Sequence, residues 1–325
     1  MQIGYIGLGK MGLAQVERLL KKGYRVVAWN RSAGPRETAR KLGAEVNGTL
    51  QEVCRKIKKP RLLWLMVPHA VVDDIIQEIV LRLSKGDTVI DGGNSFYKDS
   101  MRRAKELSRK GINFLDVGTS GGPFGALNGA CLMIGGNRRV FRRCEPLFRD
   151  LSAHLAYSII RANNGISSMR SKKSGTEEGD YAYAYIGKNG AGHFVKMVHN
   201  GIEYGMMQAI GEGFAVLKKS QFALDLQQIA ELYNKGSVVE SRLMGWLAKA
   251  FTEHGENLKD ISGEVAHSGE GLWTVETAKE LRVPVKVIND SLDFRLKSKG
   301  NPSYTGQVVS ALRNQFGGHN VKRSD

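Results

Sequence analysis

Cysteine is scarce in this chain, acidic residues are outnumbered, and no long apolar run occurs. Cys54, Cys131 and Cys144 are the three cysteines among 325 residues. Their unrelated spacings exclude a disulfide framework and a zinc site, no metal ligand set is expected, and the scarcity fits a reducing cytosol. The longest apolar stretch, near 62–67, falls far short of the ~20 residues that a membrane span needs. Asp and Glu number 32 against 48 Lys and Arg, a formal charge of +16. The basic residues do not interleave with aromatics as on single-strand nucleic-acid platforms. The charge therefore reads as scattered solvated faces, and its field also raises the local concentration of an anionic substrate. Arg138, Arg139, Arg142 and Arg143, crowded on one short helix, read as solvated or partner-facing surface. A chain that opens directly on a strand leaves no room for a signal or transit peptide, so a cytoplasmic location is expected. No internal repeat is present. With 42% hydrophobic and 25% charged residues, the length suffices for one large or two moderate cores.

What is there begins at the first residues. Ile3, Tyr5 and Ile6 form a short apolar strand, and Gly7-Leu8-Gly9-Lys10-Met11-Gly12 follows as G-x-G-x-x-G. It runs into a helical stretch at 13–20 and, after Gly23, a second strand at 25–29. A strand–turn–helix setting turns this otherwise weak motif into a dinucleotide-binding one. Gly7 permits the tight turn, Gly9 lets backbone approach a pyrophosphate, and Gly12 lets helix pack on strand. The helix N-terminus offers N–H groups and the positive end of its dipole to the phosphates.

An acidic residue is also missing where the second strand ends. An NAD site would place Asp or Glu there for the ribose 2′-hydroxyl; this chain has Asn30-Arg31-Ser32. Arg31 can pair a 2′-phosphate through charge-assisted bonds, with neutral bonds from Asn30 and Ser32. NADP is the expected cofactor.

Strand and helix alternate through the first half: strands at 61–67, 88–91 and 112–117, helices at 71–83 and 100–110. Two strands end in Gly-rich tails, Gly92-Gly93-Asn94-Ser95 and Gly118-Thr119-Ser120-Gly121-Gly122. In open parallel sheets ligands gather beyond the strands' carboxyl ends, so both tails point at one crevice. From 163 to 180 the chain turns polar and aperiodic and reads as a surface loop. A strand pattern resumes at 181–186. Thereafter the spacing is helical almost throughout, including 229–233, 238–251 and 285–297. The expected architecture is a Rossmann-type α/β NADP-binding domain over 1–184, followed by an all-α domain over 185–325.

The most informative segment is 190–206, GAGHFVKMVHNGIEYGM. Read as one helix, it places Lys196 and Glu203 two turns apart on one face, with an offset about 20° short of two full turns. His199 and Asn200 join them at i+3 and i+4 from Lys196. The opposite face carries Phe194, Val195, Met197, Val198 and Ile202 for seating in a core. Glycines at 190, 192, 201 and 205 suggest close approach by backbone or ligand.

These residues together resemble the 6-phosphogluconate dehydrogenases, decarboxylating enzymes of the oxidative pentose phosphate pathway. The similarity covers nearly the whole chain: the nucleotide turn, Asn30-Arg31-Ser32, Asp91 to Ser95, Ser120-Gly121-Gly122, Lys196 to Tyr204, and the ending from Arg313 to His319. The length is similar to the family's short-chain branch. The resemblance implies that Lys196 is the base acting on the substrate's C3 hydroxyl and that Glu203 later protonates C1 of the enediol left after CO2 departs. It gives Asn200 and His199 the substrate hydroxyls, and gives Asn94, Ser120, Gly121 and Gly122 the carboxylate end. It assigns Tyr204 and Arg295 to the phosphate, and Arg313 and His319 to a tail that completes a neighbouring subunit's site. A homo-oligomer, dimer or tetramer, with shared active sites follows. The same resemblance adds Met66, Val67 and Asn94 to the nucleotide site. Long-chain relatives carry a Lys and a Thr at the phosphate end, where this chain has Ser268 and Glu270; Glu270 would repel a phosphate if it pointed inward.

The chemistry explains why these residue types are needed. Oxidising a secondary alcohol needs a base for the hydroxyl proton while hydride leaves, and a lysine serves once desolvation or a cationic neighbour lowers its pKa. The resulting 3-keto acid is a β-keto acid and loses CO2 when its carbonyl oxygen is stabilised. The enediol left behind needs a proton, which Glu203 is placed to give. Two alternatives are a non-decarboxylating dehydrogenase of the 3-hydroxyisobutyrate type, which lacks that glutamate, and a non-catalytic NADP-sensing protein.

Overall fold

The computed structural model describes residues 1–154, 180–266 and 269–318. The loop expected over 163–180 lies almost wholly outside the described residues, as do Ser268 and His319. The chain forms two compact units, one ending at Lys196 and the other beginning at Met197.

The first unit is built on a sheet with the order β3-β2-β1-β4-β5-β6-β7-β8. Its strands are β1 (Gln2–Ile6), β2 (Arg25–Trp29), β3 (Glu45–Val46), β4 (Leu62–Leu65), β5 (Thr88–Asp91), β6 (Asn113–Ser120), β7 (Cys131–Gly136) and β8 (Tyr183–Gly187). All neighbours pair in parallel except β6 with β7. The strands read as continuous apolar runs because both faces of the sheet are covered. Alternate residues feed different cores. Ile3, Tyr5, Val26, Ala28, Trp64, Ile90, Leu115 and Val117 enter one, while Ile6, Val27, Leu63, Leu65, Val89 and Phe114 enter the other. The covering helices are α1 (Lys10–Lys21), α2 (Ala33–Lys41), α3 (Leu50–Lys56), α4 (Val72–Val80), α5 (Tyr97–Ser108), α6 (Gly122–Asn128) and α7 (Arg138–Leu151).

The second unit is helical. Its first helix, α8 (Ala191–Lys219), starts in the first unit; α9 (Leu226–Tyr233), α10 (Arg242–His254), α11 (Glu270–Glu280), α12 (Lys286–Ser298) and α13 (Tyr304–Gly317) follow. Asp225, Ser241 and Ser303 cap α9, α10 and α13 by accepting from backbone N–H groups, each such cap contributing ~1 kcal/mol. Phe214, Leu226, Leu247, Phe251, Val308 and Leu312 lie in one apolar core.

The Rossmann-type sheet followed by helices is the expected architecture. Five details differ. The short β3 and the antiparallel β7 were not expected. The second Gly-rich tail is no loose tail, since Thr119 and Ser120 belong to β6 and Gly122 opens α6. The arginine-rich segment is a 14-residue helix whose other face buries Val140, Phe141, Cys144, Leu147, Phe148 and Leu151. On α8, Ile202 is not a core residue but 53% exposed, because α11 covers the neighbouring Gly201 side, where Thr274 packs.

Candidate active site

The β1–α1 turn is fixed by its own backbone. Gly7 has φ +102°, and a Cβ there would meet the Met66 carbonyl oxygen at 2.3 Å. A Cβ on Gly12 would stand 2.1 Å from the Gly7 carbonyl oxygen, so helix and turn touch through glycine. Gly9 differs, because a Cβ there would meet nothing within 4 Å. The protein's own packing does not demand glycine at this point. The first turn of α1 holds no acidic residue and its N-cap, Gly9, offers no side-chain bond, which leaves its N–H groups available to an anion. Asn30 Oδ1 accepts from the Leu8 N–H at 3.0 Å, tying the glycine turn to the end of β2. Arg31 and Ser32 are exposed, ahead of an α2 first turn that also lacks acid. Lys10 is exposed, while Met11, Met66 and Val67 are half-buried beside the turn.

The turn after β5 is organised by Asp91, which is fully buried. Its carboxylate accepts from the Gly93 N–H at 3.1 Å, from Ser95 Oγ at 2.7 Å and from Arg103 Nη1 at 3.5 Å. Thr119 Oγ1 donates to the Gly92 carbonyl at 3.3 Å, so Asn94 and the strand bearing Ser120 are held in one rim. Ser120, Gly121 and Gly122 are half-buried.

Lys196 sits at the end of a chain of close contacts that begins at Asp116, another buried acid. Asp116 accepts from the N–H groups of Gly190 at 2.7 Å and His193 at 3.0 Å, a carboxylate at the positive end of the α8 dipole. A Cβ on Gly192 would meet the Met133 and Asp116 carbonyl oxygens at 2.4 and 2.5 Å. One turn on, the Lys196 stem lies flat on Gly118, where an added Cβ would come within 2.4 Å of Lys196 Cβ. The lysine is only 9% exposed. His193, 1% exposed, has its Nδ1 at 2.7 Å from Ser100 Oγ. The glycines of this helix thus serve close approach by protein. The sequence analysis gives no role to Asp91 and does not single out Asp116 or His193, although for the two acids their place inside a buried strand was a visible signal.

In the second unit α8 continues the polar stripe. His199 Nδ1 lies 3.1 Å from Asn200 Oδ1 and 3.7 Å from Glu203 Oε2. Tyr204, 5% exposed, has no hydrogen-bond partner for its hydroxyl. The Arg295 guanidinium stacks 3.4 Å from the centre of the Tyr204 ring. Arg295 is 2% exposed, and its Nε and Nη1 are buried without partners. Burial pushes its pKa down to about 10, with Arg313 adding to the fall and Tyr204 and Glu203 opposing it. Burial likewise lowers the pKa of Arg313, against the pull of Tyr204, Glu270 and Glu203. Arg313, expected in a terminal tail, is helical instead. It is part of α13, 8% exposed, in the electrostatic field of its own chain's Tyr204 and Glu203, because the apolar spacing of Val308, Val309, Ala311 and Leu312 carries the helix into the core past it. His319 lies outside the described residues.

A Rossmann sheet, a glycine turn open at Gly9 and a buried lysine on α8 packed against Gly118 of β6 define a pyridine-nucleotide-dependent oxidoreductase. Residues 2–160 match the family described as the NAD binding domain of 6-phosphogluconate dehydrogenase, and residues 192–305 match the 6-phosphogluconate dehydrogenase C-terminal domain. YqeC of Bacillus subtilis, provisionally named a 6-phosphogluconate dehydrogenase, is 43% identical over 99% of this chain and 100% of its own length. The NAD(+)-dependent decarboxylating 6-phosphogluconate dehydrogenase of Haloferax volcanii is 37% identical over the full length of both. The Plasmodium falciparum 6-phosphogluconate dehydrogenase structure superposes with a TM-score of 0.78 at 30% identity, covering 92% of this chain and 62% of that one. The chain belongs to the 6-phosphogluconate dehydrogenase family. Mycobacterium tuberculosis 3-hydroxyisobutyrate dehydrogenase shares the fold, with a TM-score of 0.70 at 18% identity over 96% of this chain and 99% of that one. No helix among the described residues is long and apolar enough to cross a membrane.

Proposed function

We propose that the chain oxidises and decarboxylates 6-phospho-D-gluconate to D-ribulose 5-phosphate and CO2, reducing NADP. The observation that carries this reading is the Arg295 guanidinium, 2% exposed with two nitrogens unpartnered. A buried cation left so is costly, and a phosphate on the substrate would supply the missing acceptors, with Arg313 beside it. The nucleotide would be held by the turn from Gly7 to Gly12, by Asn30, Arg31 and Ser32, and by Met66, Val67 and Asn94. Bound there, it supplies the hydride acceptor. The open space at Gly9 and the acid-free first turns of α1 and α2 fit its phosphates. Arg31 favours the 2′-phosphate; the Haloferax relative named for NAD(+) makes this choice one to be measured.

Lys196 takes the C3 hydroxyl proton as hydride leaves C3, and as an ammonium it then stabilises the C3 carbonyl oxygen while the C1 carboxylate departs as CO2. Glu203 delivers a proton to the substrate's former C2, which becomes C1 of ribulose 5-phosphate. Asn200 and His199 orient substrate hydroxyls, and Asn94, Ser120, Gly121 and Gly122 hold the carboxylate end. The Lys and Glu sit on one helix with a rise of about 10.5 Å between them. The second reading, a non-decarboxylating 3-hydroxyacid dehydrogenase, draws on the shared fold alone and gives Glu203 no task. A homo-oligomer in the cytoplasm belongs to the same proposal, supported by exposed Ile202 and Met206 on α8 and checked by light scattering. The deciding experiment is NADPH formation with 6-phosphogluconate against gluconate, with CO2 measured in parallel. NADPH without CO2 would leave the second reading; no turnover would remove both.

A further inference from the structure

Helix α5 joins the elements that carry Lys196, Asn94 and the turn of Met66 and Val67, and an arginine makes most of the connection. The buried residues of α5 are Ser100, Arg103, Ala104 and Leu107, so Ser100 and Arg103, three positions apart, share a face. Ser100 Oγ lies 2.7 Å from Nδ1 of His193 on α8, one turn before Lys196. Arg103, 2% exposed, holds two carboxylates. Its Nε and Nη2 donate to Asp73 Oδ1 and Oδ2 at 2.8 and 3.1 Å, and its Nη1 reaches Asp91 Oδ2 at 3.5 Å. Each acid stands at the root of a turn that the functional reading gives to a ligand. Asp73 is in the first turn of α4, the helix that follows Met66 and Val67. Asp91 ends β5 immediately before Gly92, Gly93 and Asn94. The two turns meet at Gly93, where a Cβ would stand 2.8 Å from the Val67 carbonyl oxygen and 3.3 Å from Asp91 Oδ1.

The bonds that Asp91 accepts from the Gly93 N–H and from Ser95 Oγ are internal to the Asn94 turn. Thr119 Oγ1 ties that turn to β6 through Gly92, and Arg103 ties it to α4. A guanidinium is planar and presents its donors in a rigid fork. The two-point hold on Asp73 therefore fixes where Nη1 meets Asp91, and the full burial of Asp91 keeps water from competing for that carboxylate. We propose that Arg103 is a positioning residue for hydride transfer: its guanidinium holds the turn of Asn94 at a fixed distance from the turn of Met66 and Val67, and so sets the substrate against the nucleotide. It acts through Asp91 and Asp73.

This inference rests on the reading of the site as a dehydrogenase of 6-phosphogluconate. Its test is the single-turnover rate of NADPH formation from 6-phosphogluconate with both ligands saturating, counted per NADP-binding site, beside the dissociation constant of NADP for the same protein. Arg103→Lys keeps the charge but loses the fork. It should slow the hydride step at least about tenfold, since a misplacement of about 1 Å can cost on the order of 100-fold. The nucleotide turn is anchored separately, with the Met66 N–H bonded to the Ile6 carbonyl at 2.8 Å. NADP affinity should therefore stay within about twofold of wild type. Asp73→Asn, at a side chain 40% exposed, spares the core and weakens the outer hold; it should slow the same step about threefold or more, and it decides the matter if Arg103→Lys does not fold. An arginine that serves stability alone would lower the folded fraction and leave the rate per site unchanged. A rate per site within about twofold of wild type in the deciding variant, or a loss of NADP affinity in step with the rate, overturns the inference and leaves the functional reading intact. No turnover of 6-phosphogluconate by wild type removes both.

Discussion

Replacing Gly118 by alanine would disturb the seat of Lys196 without touching any reacting group. The new methyl would stand 2.4 Å from Lys196 Cβ, 3.0 Å from the Gly192 carbonyl oxygen and 3.1 Å from Lys196 Cγ. Ordinary van der Waals contact begins at 3.4 Å, so the start of α8 must retreat from β6 by about 1 Å. Overpacking of this kind costs ~1–3 kcal/mol of stability. The larger effect falls on turnover, since misplacing a reacting group by about 1 Å can cost on the order of 100-fold. Steady-state NADPH formation from 6-phosphogluconate should show kcat reduced to roughly that extent, with the KM for NADP little changed. Gly213→Ala is the matched control: it lies within α8, an added Cβ would meet nothing within 4 Å, and it should gain up to ~1 kcal/mol of stability at unchanged kcat. A Gly118→Ala enzyme with kcat within about twofold of wild type would refute the placement of Lys196 as the reacting base.

Arg31→Ala should lose most of the preference for NADP over NAD, since one charge-assisted pair contributes on the order of 1.5–3 kcal/mol; equal wild-type use of both nucleotides would remove the assignment. Lys196→Ala should abolish hydride transfer in single-turnover experiments, with ~10²–10⁴-fold loss. Glu203→Ala should still reduce the nucleotide in a first turnover but release the pentulose phosphate slowly; full steady-state turnover would unseat Glu203 as the acid. Asp73 accepts from Arg103 Nε at 2.8 Å and Arg102 Nη2 at 2.7 Å, and the Arg103 bond first, then Arg102, hold its carboxyl below its usual value. A depressed folded pKa gives stability that is present above the unfolded value, near 4, and lost as pH falls through the folded one. Asp73→Asn should therefore flatten the acid limb of urea-unfolding stability below about pH 4, and an unchanged limb would contradict the ion pair's role.

The parts legible in the sequence were those whose cause is local. The strands Arg25–Trp29 and Thr88–Asp91 were read to the residue because buried parallel strands are short apolar runs. The glycine turn was legible because a tight turn and a close helix constrain individual positions. The strand Cys131–Gly136 was missed, since the reasons for its two glycines lie far along the chain, at Asp116 and Leu115. The helix α3 carried a readable signal that was overlooked, the Thr49/Glu52 capping box. The acid/base stripe on α8 followed from helical spacing, but its supports did not. Asp116 binds the helix start across a sequence separation of 74 residues, whereas the helical place of Arg313 was legible in the apolar spacing of Val308, Val309, Ala311 and Leu312. Ile202 failed as a core residue because periodicity gives a face and not what covers it.

The unpartnered guanidinium of Arg295 bears on how long the protein survives as well as on what it binds. Arg295 Nε and Nη1 are buried without acceptors from the protein, a cost to the folded state that a bound phosphate would relieve. Ligand at a hundred times its dissociation constant would add ~2.7 kcal/mol to stability, enough to lower the share of opened, protease-accessible molecules about a hundredfold. Abundance in the cell would then follow the supply of substrate with no change in synthesis, and chains made when substrate is absent would be the first degraded.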